Sequence, residues 1–390
     1  MKLTRWASTD TANDTVTPPP DVLAPWALGL SCPQFERCPS VSNDVWKILG
    51  KNTALVLKRY RYLTPRGVAK MHEVLELVRR AGILVPVPVR TQNGKSLIVA
   101  DHRPYDLSEH IDSIPPAVLE KSPRMLHRAG EILGRIHSIE LDAKISVAVP
   151  PDSRQRQNAI LANQTAFLTS LPTLRRVCPR GLRSHLDAIP RHIAFLEPLQ
   201  DQAIVDLEDL RGSPVGLVHG DYSPANLLVH PKDGSTHVID WEYVRLEPTV
   251  WELQRALSFF CGLATVNVHL SRLTNMDYPA IFLSGYRRYY AAKLDLFPRL
   301  SICATYNATV GWLDYTLRRA LLHDFRSLAF VPLDIDKSYW DAYLPSLERL
   351  YCSIWEQSAT AERRLLQLTF LHRSPRSYRT LAPIHSGPAP

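Results

Sequence analysis

Two short, mostly apolar runs, Val45-Trp46-Lys47-Ile48-Leu49 and Ala54-Leu55-Val56-Leu57-Lys58, flank Gly50-Lys51-Asn52. Two short β-rich runs around a turn predict a pair of strands. After Pro65-Arg66-Gly67 the period changes. Val68, Met71, Leu75 and Val78 recur at helical spacing, the pattern runs to Ala81, and Gly82 supplies a stop. Val85-Pro86-Val87-Pro88-Val89 and Leu97-Ile98-Val99-Ala100, separated by a Gln92-Asn93-Gly94 turn, predict two more short strands. This part of the chain reads as a small sheet with one inserted helix.

Further along, Leu126, Ile132, Leu133, Ile136 and Ile139 mark an amphipathic helix between Pro123 and Leu141. Gln155 to Leu210 is helical in pattern and is predicted to break at Pro172, Pro179, Pro190 and Pro198. Leu227-Leu228-Val229-His230 and Thr236-His237-Val238-Ile239 flank Pro231-Lys232-Asp233-Gly234, which is a hairpin signal. Helical patterns return beyond Pro248 and run to about Leu371, and no internal repeat is present. The first forty residues, with Pro18-Pro19-Pro20 in a Thr- and Ser-rich setting, and the last twenty, rich in Pro, Ser and Arg, lack the pattern of a packed element.

The hairpin separates two segments that carry chemistry. His219-Gly220-Asp221-Tyr222-Ser223-Pro224-Ala225-Asn226 precedes it, and Ile239-Asp240-Trp241-Glu242 follows it. Phosphoryl transfer requires a carboxylate that orients the attacking hydroxyl and accepts its proton, together with oxygen ligands that hold Mg²⁺ on the phosphates. Mg²⁺ takes hard oxygen donors and only one or two protein carboxylates. A hairpin returns the chain on itself, so Asp221, Asn226 and Asp240 are brought close in space. Each acid also borders an apolar strand, where an unpartnered charge is expensive.

These residues resemble the aminoglycoside phosphotransferase and choline kinase superfamily, relatives of the protein kinases. The catalytic loop of that family reads His-Gly-Asp, four residues, Asn, and its metal loop reads Ile-Asp-aromatic. The resemblance implies an α+β, protein-kinase-like bilobal fold with a small antiparallel-sheet N-lobe carrying one helix and a larger, mainly helical C-lobe. It implies Asp221 as catalytic base, Asn226 and Asp240 as Mg²⁺ ligands, and His219 as a structural support of the loop. A kinase-like site also needs a lysine on the phosphates, held by a carboxylate on the sheet-facing helix. Lys58 ends a strand and Glu73 sits early in the following helix, so Lys58 and Glu73 are the candidate pair. Strand alternation points Arg59 to the opposite face. Leu133-Gly134-Arg135-Ile136-His137 resembles the family's helix ending in Leu-x-x-x-His, which makes His137 a packed or capping residue.

Three segments depart from the family pattern. The turn that covers phosphate is Gly-rich in kinases, but here it reads Pro39-Ser40-Val41-Ser42-Asn43-Asp44. Ser42 and Asn43 are its candidate nucleotide contacts. The expected linker between lobes, about Val99 to Tyr105, lacks the usual Gly. After the metal loop, Glu252-Leu253 stands where the family has Asp-Leu, and Glu252 keeps the acid for the same capping task. The resulting domain reading is a flexible extension over 1–40, an N-lobe over 41–104, a helical C-lobe over 105–370 and a disordered tail over 371–390.

Composition narrows the partners. The 390 residues are 45% hydrophobic and 22% charged, as in a soluble globular protein. The formal charge of +8 favours an anionic ligand, but the basic residues are scattered and no nucleic-acid-binding motif accompanies them. No nucleic-acid or membrane partner is expected. The 6 cysteines form no CxxC pair, which argues against structural zinc. Met1 to Asp10 have no apolar core, so a cytoplasmic setting with reduced thiols is the expectation. Walker A, zinc-protease and Gly-x-Ser-x-Gly signatures are absent.

The function that follows is transfer of the γ-phosphate of ATP or GTP to a small-molecule hydroxyl with Mg²⁺. The alternatives are a nucleotide-binding pseudokinase without turnover and a protein kinase of the same superfamily. A polycationic aminoglycoside acceptor needs an acid-lined pocket. Beyond Phe260 there are 15 Lys and Arg against 10 Asp and Glu, with Asp314, Asp324, Asp334 and Asp336 as the candidate acidic cup. A neutral or anionic metabolite fits that balance at least as well.

Overall fold

The computed structural model describes residues 18–19, 21–29, 33–38, 40, 43–50, 54–114, 122–140, 153–206, 210, 213–261, 277–290, 296–333 and 338. They build two lobes, one around a sheet and one mainly of helices, so the α+β expectation holds. The sheet is antiparallel throughout. Its strands are β1 (Gln34–Cys38), β2 (Asp44–Leu49), β3 (Ala54–Arg59), β4 (Ile98–Ala100) and β5 (Arg103–Glu109), in the order β1-β2-β3-β5-β4. Helix α1 (Pro65–Arg80) follows β3. Thr64 caps it by accepting from the Gly67 N–H at 3.1 Å, and Pro65 takes a first-turn position that needs no donor. It buries Val68, Met71, His72, Val74, Leu75 and Val78.

Several boundaries differ from the sequence reading. Val85 to Val89 forms no strand, because Pro86 and Pro88 supply no N–H to a ladder. Leu84 and Pro88 make isolated bridges instead. The expected linker from Val99 to Tyr105 is the β4–β5 hairpin. Its turn residues Asp101 and His102 both have positive φ, 49° and 59°, which matches the twist of the strands. The sheet lobe therefore continues past 104 to Glu109.

Part of the expected N-terminal extension also belongs to the sheet. β1 is an edge strand, and Val22 and Trp26 pack with Trp46, Ile48, Leu57, Tyr105 and Leu107 on the face of the sheet away from α1. The Trp26 indole donates to the Val89 carbonyl at 2.9 Å. Two large apolar anchors suffice to dock a Pro-rich segment that shows no periodicity. Residues 1–17 and the tail over 371–390 lie outside the described residues.

The second lobe contains α2 (Pro123–His137), α3 (Ser153–Val177), α4 (Arg183–Asp206), α5 (Thr249–Cys261), α6 (Asp277–Arg287), α7 (Leu296–Tyr306) and α8 (Trp312–Leu321). A π-helical turn, Asn307–Gly311, joins α7 to α8. α3 runs through Pro172 and α4 through Pro190 and Pro198, so only Pro179 marks a break. In α4, burial of Leu186, Ile189, Ile193 and Leu196 outweighs the backbone hydrogen bonds that its prolines remove. α2 and α6 meet backbone to backbone. A Cβ added at Gly130 would lie 2.0 Å from the Phe282 carbonyl oxygen, one at Gly134 2.4 Å from that of Tyr286, and one at Gly285 2.0 Å from that of His127. Among the described residues no helix is long and apolar enough to cross a membrane.

Two short ribbons sit between the helices and the sheet lobe. β6 (Val215–Val218) pairs with β9 (Arg245–Pro248), and β7 (Leu227–Val229) pairs with β8 (Thr236–Val238). The β7–β8 hairpin touches both the sheet lobe and the inter-lobe chain. The Val238 N–H donates to the Leu84 carbonyl at 2.9 Å, and that of Ile114 to the Val229 carbonyl at 3.0 Å.

Candidate active site

The loop between β6 and β7 carries Asp221 and Asn226, and the turn between β8 and β9 carries Asp240 and Glu242. The hairpin brings them together. The Ile239 N–H donates to the Asn226 carbonyl at 3.0 Å, which places the two loops side by side. Within the first loop the Asn226 amide donates to both the Asp221 carbonyl at 2.7 Å and its Oδ2 at 3.0 Å. This fixes the Asp221 carboxylate and leaves the Asn226 side-chain oxygen free of that task.

His219 holds the loop from behind. Its ring is buried, Nδ1 accepts the Asp221 N–H at 3.2 Å, and Nε2 donates to the Ile239 carbonyl at 2.8 Å. Burial lowers its affinity for a proton, which matches a neutral ring with one accepting nitrogen. The supporting role expected of His219 is the one its contacts describe. Gly220 follows with φ of 90°, and an added Cβ would lie 2.2 Å from the Tyr243 carbonyl oxygen.

A buried carboxylate anchors the same loop from α5. Glu252 Oε2 accepts the His219 N–H at 2.9 Å and Oε1 accepts that of Gly220 at 2.5 Å. His137 at the end of α2 donates to Glu252 from Nε2 at 3.1 Å and accepts from the Tyr286 hydroxyl at Nδ1, 2.8 Å away. Burial pushes the Glu252 carboxyl upward, but the His137 hydrogen bond, the adjoining imidazoles and Arg255 together outweigh it and hold it at about 2. Glu252 thus does the capping task read for it, and His137 is packed rather than reactive.

Lys58 reaches this site from β3. Its Nζ is 2.7 Å from Asp240 Oδ1 and 2.5 Å from Glu242 Oε1, and it lies 4.9 Å from the centre of the Tyr60 ring. Burial acts against its charge, but the two carboxylates raise its pKa above the ordinary lysine value. Asp240 feels burial upward and Lys58 downward, and the lysine prevails. Its backbone is left-handed, with φ of 66°, a conformation that Asp tolerates better than most residues and that recurs at functional sites. Among the described residues no lysine pairs with Asp221. Burial raises its pKa and the Asp240 charge adds to the rise, against the opposing effects of His219, Asn226 and Arg255.

The expected pairing of Lys58 with Glu73 does not form. Glu73 is on the exposed face of α1, and its neighbour His72 faces inward. The His72 ring lies 2.9 Å from Asp106 Oδ2 through Nε2 and 2.8 Å from the Ser96 hydroxyl through Nδ1. Asp106 is the register partner of Lys58 on β5, but its carboxylate also accepts the Tyr60 hydroxyl at 2.7 Å. Asn43 is buried beside the lysine. Its amide donates to Glu242, and its side-chain oxygen accepts the Arg61 N–H at 3.3 Å. Ser42 lies outside the described residues. Arg59 faces away from Lys58, as strand alternation requires, and pairs with buried Asp44 at 2.6 Å.

The donor set fits a hard divalent cation. Asp240 offers a carboxylate and Asn226 an amide oxygen, which is what Mg²⁺ takes from protein when phosphates supply further oxygens. Among the described residues no group of three His, Cys, Asp or Glu forms a protein-only metal cage. Mg²⁺ needs none. Of the expected acidic cup, the two acids among the described residues are already paired. Asp314 accepts from Asn163 at 2.8 Å and pairs with Arg318 at 3.0 Å, while Asp324 pairs with Arg319 at 2.5 Å. Asp334 and Asp336 lie outside the described residues.

Comparison with solved structures gives the same fold. A spectinomycin phosphotransferase in complex with ADP and spectinomycin superposes with a TM-score of 0.60 at 12% identity, covering 85% of this chain and 96% of that one. A microcompartment-associated aminopropanol kinase superposes at 0.54 with 16% identity, covering 88% and 97%. No curated protein matches the chain significantly. The model of the phosphotransferase enzyme family matches residues 34–295, which is more than half of the chain. The chain therefore belongs to the phosphotransferase enzyme family.

Proposed function

We propose that this protein transfers the γ-phosphate of ATP or GTP to a hydroxyl group of a small molecule. The observation that carries this reading is the convergence of groups from distant segments. Asn226 orients Asp221 at 3.0 Å, and Lys58 of the sheet lobe stands 2.7 Å from Asp240. In this scheme the acceptor hydroxyl attacks the γ-phosphorus, its proton passes to the Asp221 carboxylate, and the bond to the β-phosphate oxygen breaks. Lys58 neutralises phosphate charge. Asn226 and Asp240 would hold Mg²⁺, which when bound would supply electrostatic stabilisation of the phosphates.

The acceptor is a small hydroxylated molecule. Arginines already neutralise Asp314 and Asp324, so these acids are poor partners for a polycation. The named ligands of the superposed kinases, spectinomycin and aminopropanol, point to small hydroxylated molecules as the class.

A screen of hydroxylated small molecules with ATP, GTP and Mg²⁺, read as the mass gain of one phosphoryl group, tests the proposal. On any acceptor found, Asp221→Ala is expected to lower turnover at least ~10²-fold while ADP binding persists. An unchanged rate in that variant would sink the assignment of Asp221.

A further inference from the structure

In the structure the lysine of the sheet lobe meets its carboxylates across the cleft, not within its own lobe. Glu242 is buried, with a side-chain exposure of 5%, and its Oε1 touches two residues of the other lobe. Lys58 Nζ is 2.5 Å away, and the Asn43 amide donates to the same oxygen. The carboxylate of the sheet lobe nearest in register, Asp106, is already engaged by Tyr60 and His72. The inward position of α1 is occupied by His72 rather than by an acid.

We propose that Glu242 is the positioning residue of Lys58, doing from the metal loop what a helix carboxylate does in a kinase-like site. The inference rests on the phosphotransfer reading. Asp240 also contacts Lys58, but it is the carboxylate assigned to the cation. Glu242 retains the ammonium when Asp240 is shared with a metal ion, because a second charge-assisted contact remains. Asn43 extends the effect to the start of β2, next to the phosphate turn. One side chain on the C-lobe thereby registers the lysine and the turn together, and the position of Lys58 is independent of any rotation of α1.

Calorimetric titration of the full chain with ADP, in EDTA and again with Mg²⁺, tests this. Glu242→Ala should weaken ADP roughly tenfold in both conditions, the scale of a lost charged hydrogen bond. Glu73→Ala, on the exposed face of α1, should bind ADP within about twofold of wild type. Since Glu242 acts through Lys58, the double variant with Lys58→Met should be no weaker than Lys58→Met alone. Losses that multiply in the double variant overturn the proposal, as does ADP binding that is unchanged or tighter in Glu242→Ala. A loss confined to Mg²⁺ also overturns it, because that is the signature of a metal ligand. If Glu242→Ala does not fold, Glu242→Gln keeps the side-chain volume and the same comparisons decide. A wild-type chain that binds ADP but phosphorylates no acceptor defeats the phosphotransfer reading, while the affinities still judge Glu242. A wild-type chain that does not bind ADP defeats both.

Discussion

His137 Nε2 and Glu252 Oε2 stand 3.1 Å apart with both side chains almost wholly buried, and the same carboxylate holds the backbone of His219 and Gly220. One acid on α5 therefore ties the end of α2 to the loop that carries Asp221. A buried charge is tolerated here because each of its oxygens has a donor.

Removing that acid leaves two backbone N–H groups and a histidine donor without their acceptor. Glu252→Ala should lower stability by about 3–5 kcal/mol, measured by urea unfolding. A loss under ~1 kcal/mol would mean that water replaces the carboxylate and that it does not organise the loop.

The same group predicts acid sensitivity. Its pKa is about 2 in the folded chain against an ordinary 4.5, so the folded state binds the proton less readily than the unfolded one. The stability it contributes is fully present above pH 4.5 and is lost as pH falls toward 2. On the order of 3 kcal/mol is involved. Melting temperatures measured across that window should fall more steeply for wild type than for Glu252→Gln, and parallel curves would exclude the linkage.

For Asp221 the sign is reversed. Burial raises its pKa, and the Asp240 charge adds to the rise, so the folded state favours the protonated acid. Turnover should decline on acidification at a pH above the ordinary carboxylate value of 3.8, seen as the acid limb of kcat/KM. At neutral pH the ionised form costs stability. Asp221→Asn should consequently raise the melting temperature while abolishing most activity, and a variant that loses both would place Asp221 among the structural acids instead.

Gly220 is left-handed at φ 90° and has no room for a Cβ beside Tyr243. Gly220→Ala should cost about 1–3 kcal/mol, and because Asp221 is the next residue, turnover should fall at least ~10-fold. Stopped-time product assays on the folded variant separate the two effects. A variant that melts early but turns over normally would show that the loop tolerates displacement.

Much of this was legible in the sequence, for physical reasons that differ by element. β2 and β3 follow from short apolar runs bounded by turn residues, and α1 from its helical period. Asp221, Asn226 and Asp240 stand out because phosphoryl transfer restricts which residue types can serve. The Lys58 partners differ from the pair the sequence suggests, yet α1 holds the signal. Val68, Met71, Leu75 and Val78 define an inward stripe that includes position 72 and excludes position 73. Glu242 carried no such signal, since its role depends on a contact between lobes that no local pattern encodes. The same is true of Val22 and Trp26, whose burial depends on the sheet they cover. Helices that run through Pro172, Pro190 and Pro198 show tertiary packing overriding a local breaker.

The glycine seam between α2 and α6 has a mechanical consequence. Main chains separated by no side chain at Gly130, Gly134 and Gly285 cannot slide past one another without collision. α2 supplies His137 and α6 supplies Tyr286, so the clamp on Glu252 is mounted on a single stiff block. The loop that carries Asp221, held by that same carboxylate, is therefore tied to a frame that cannot yield by sliding of α2 against α6.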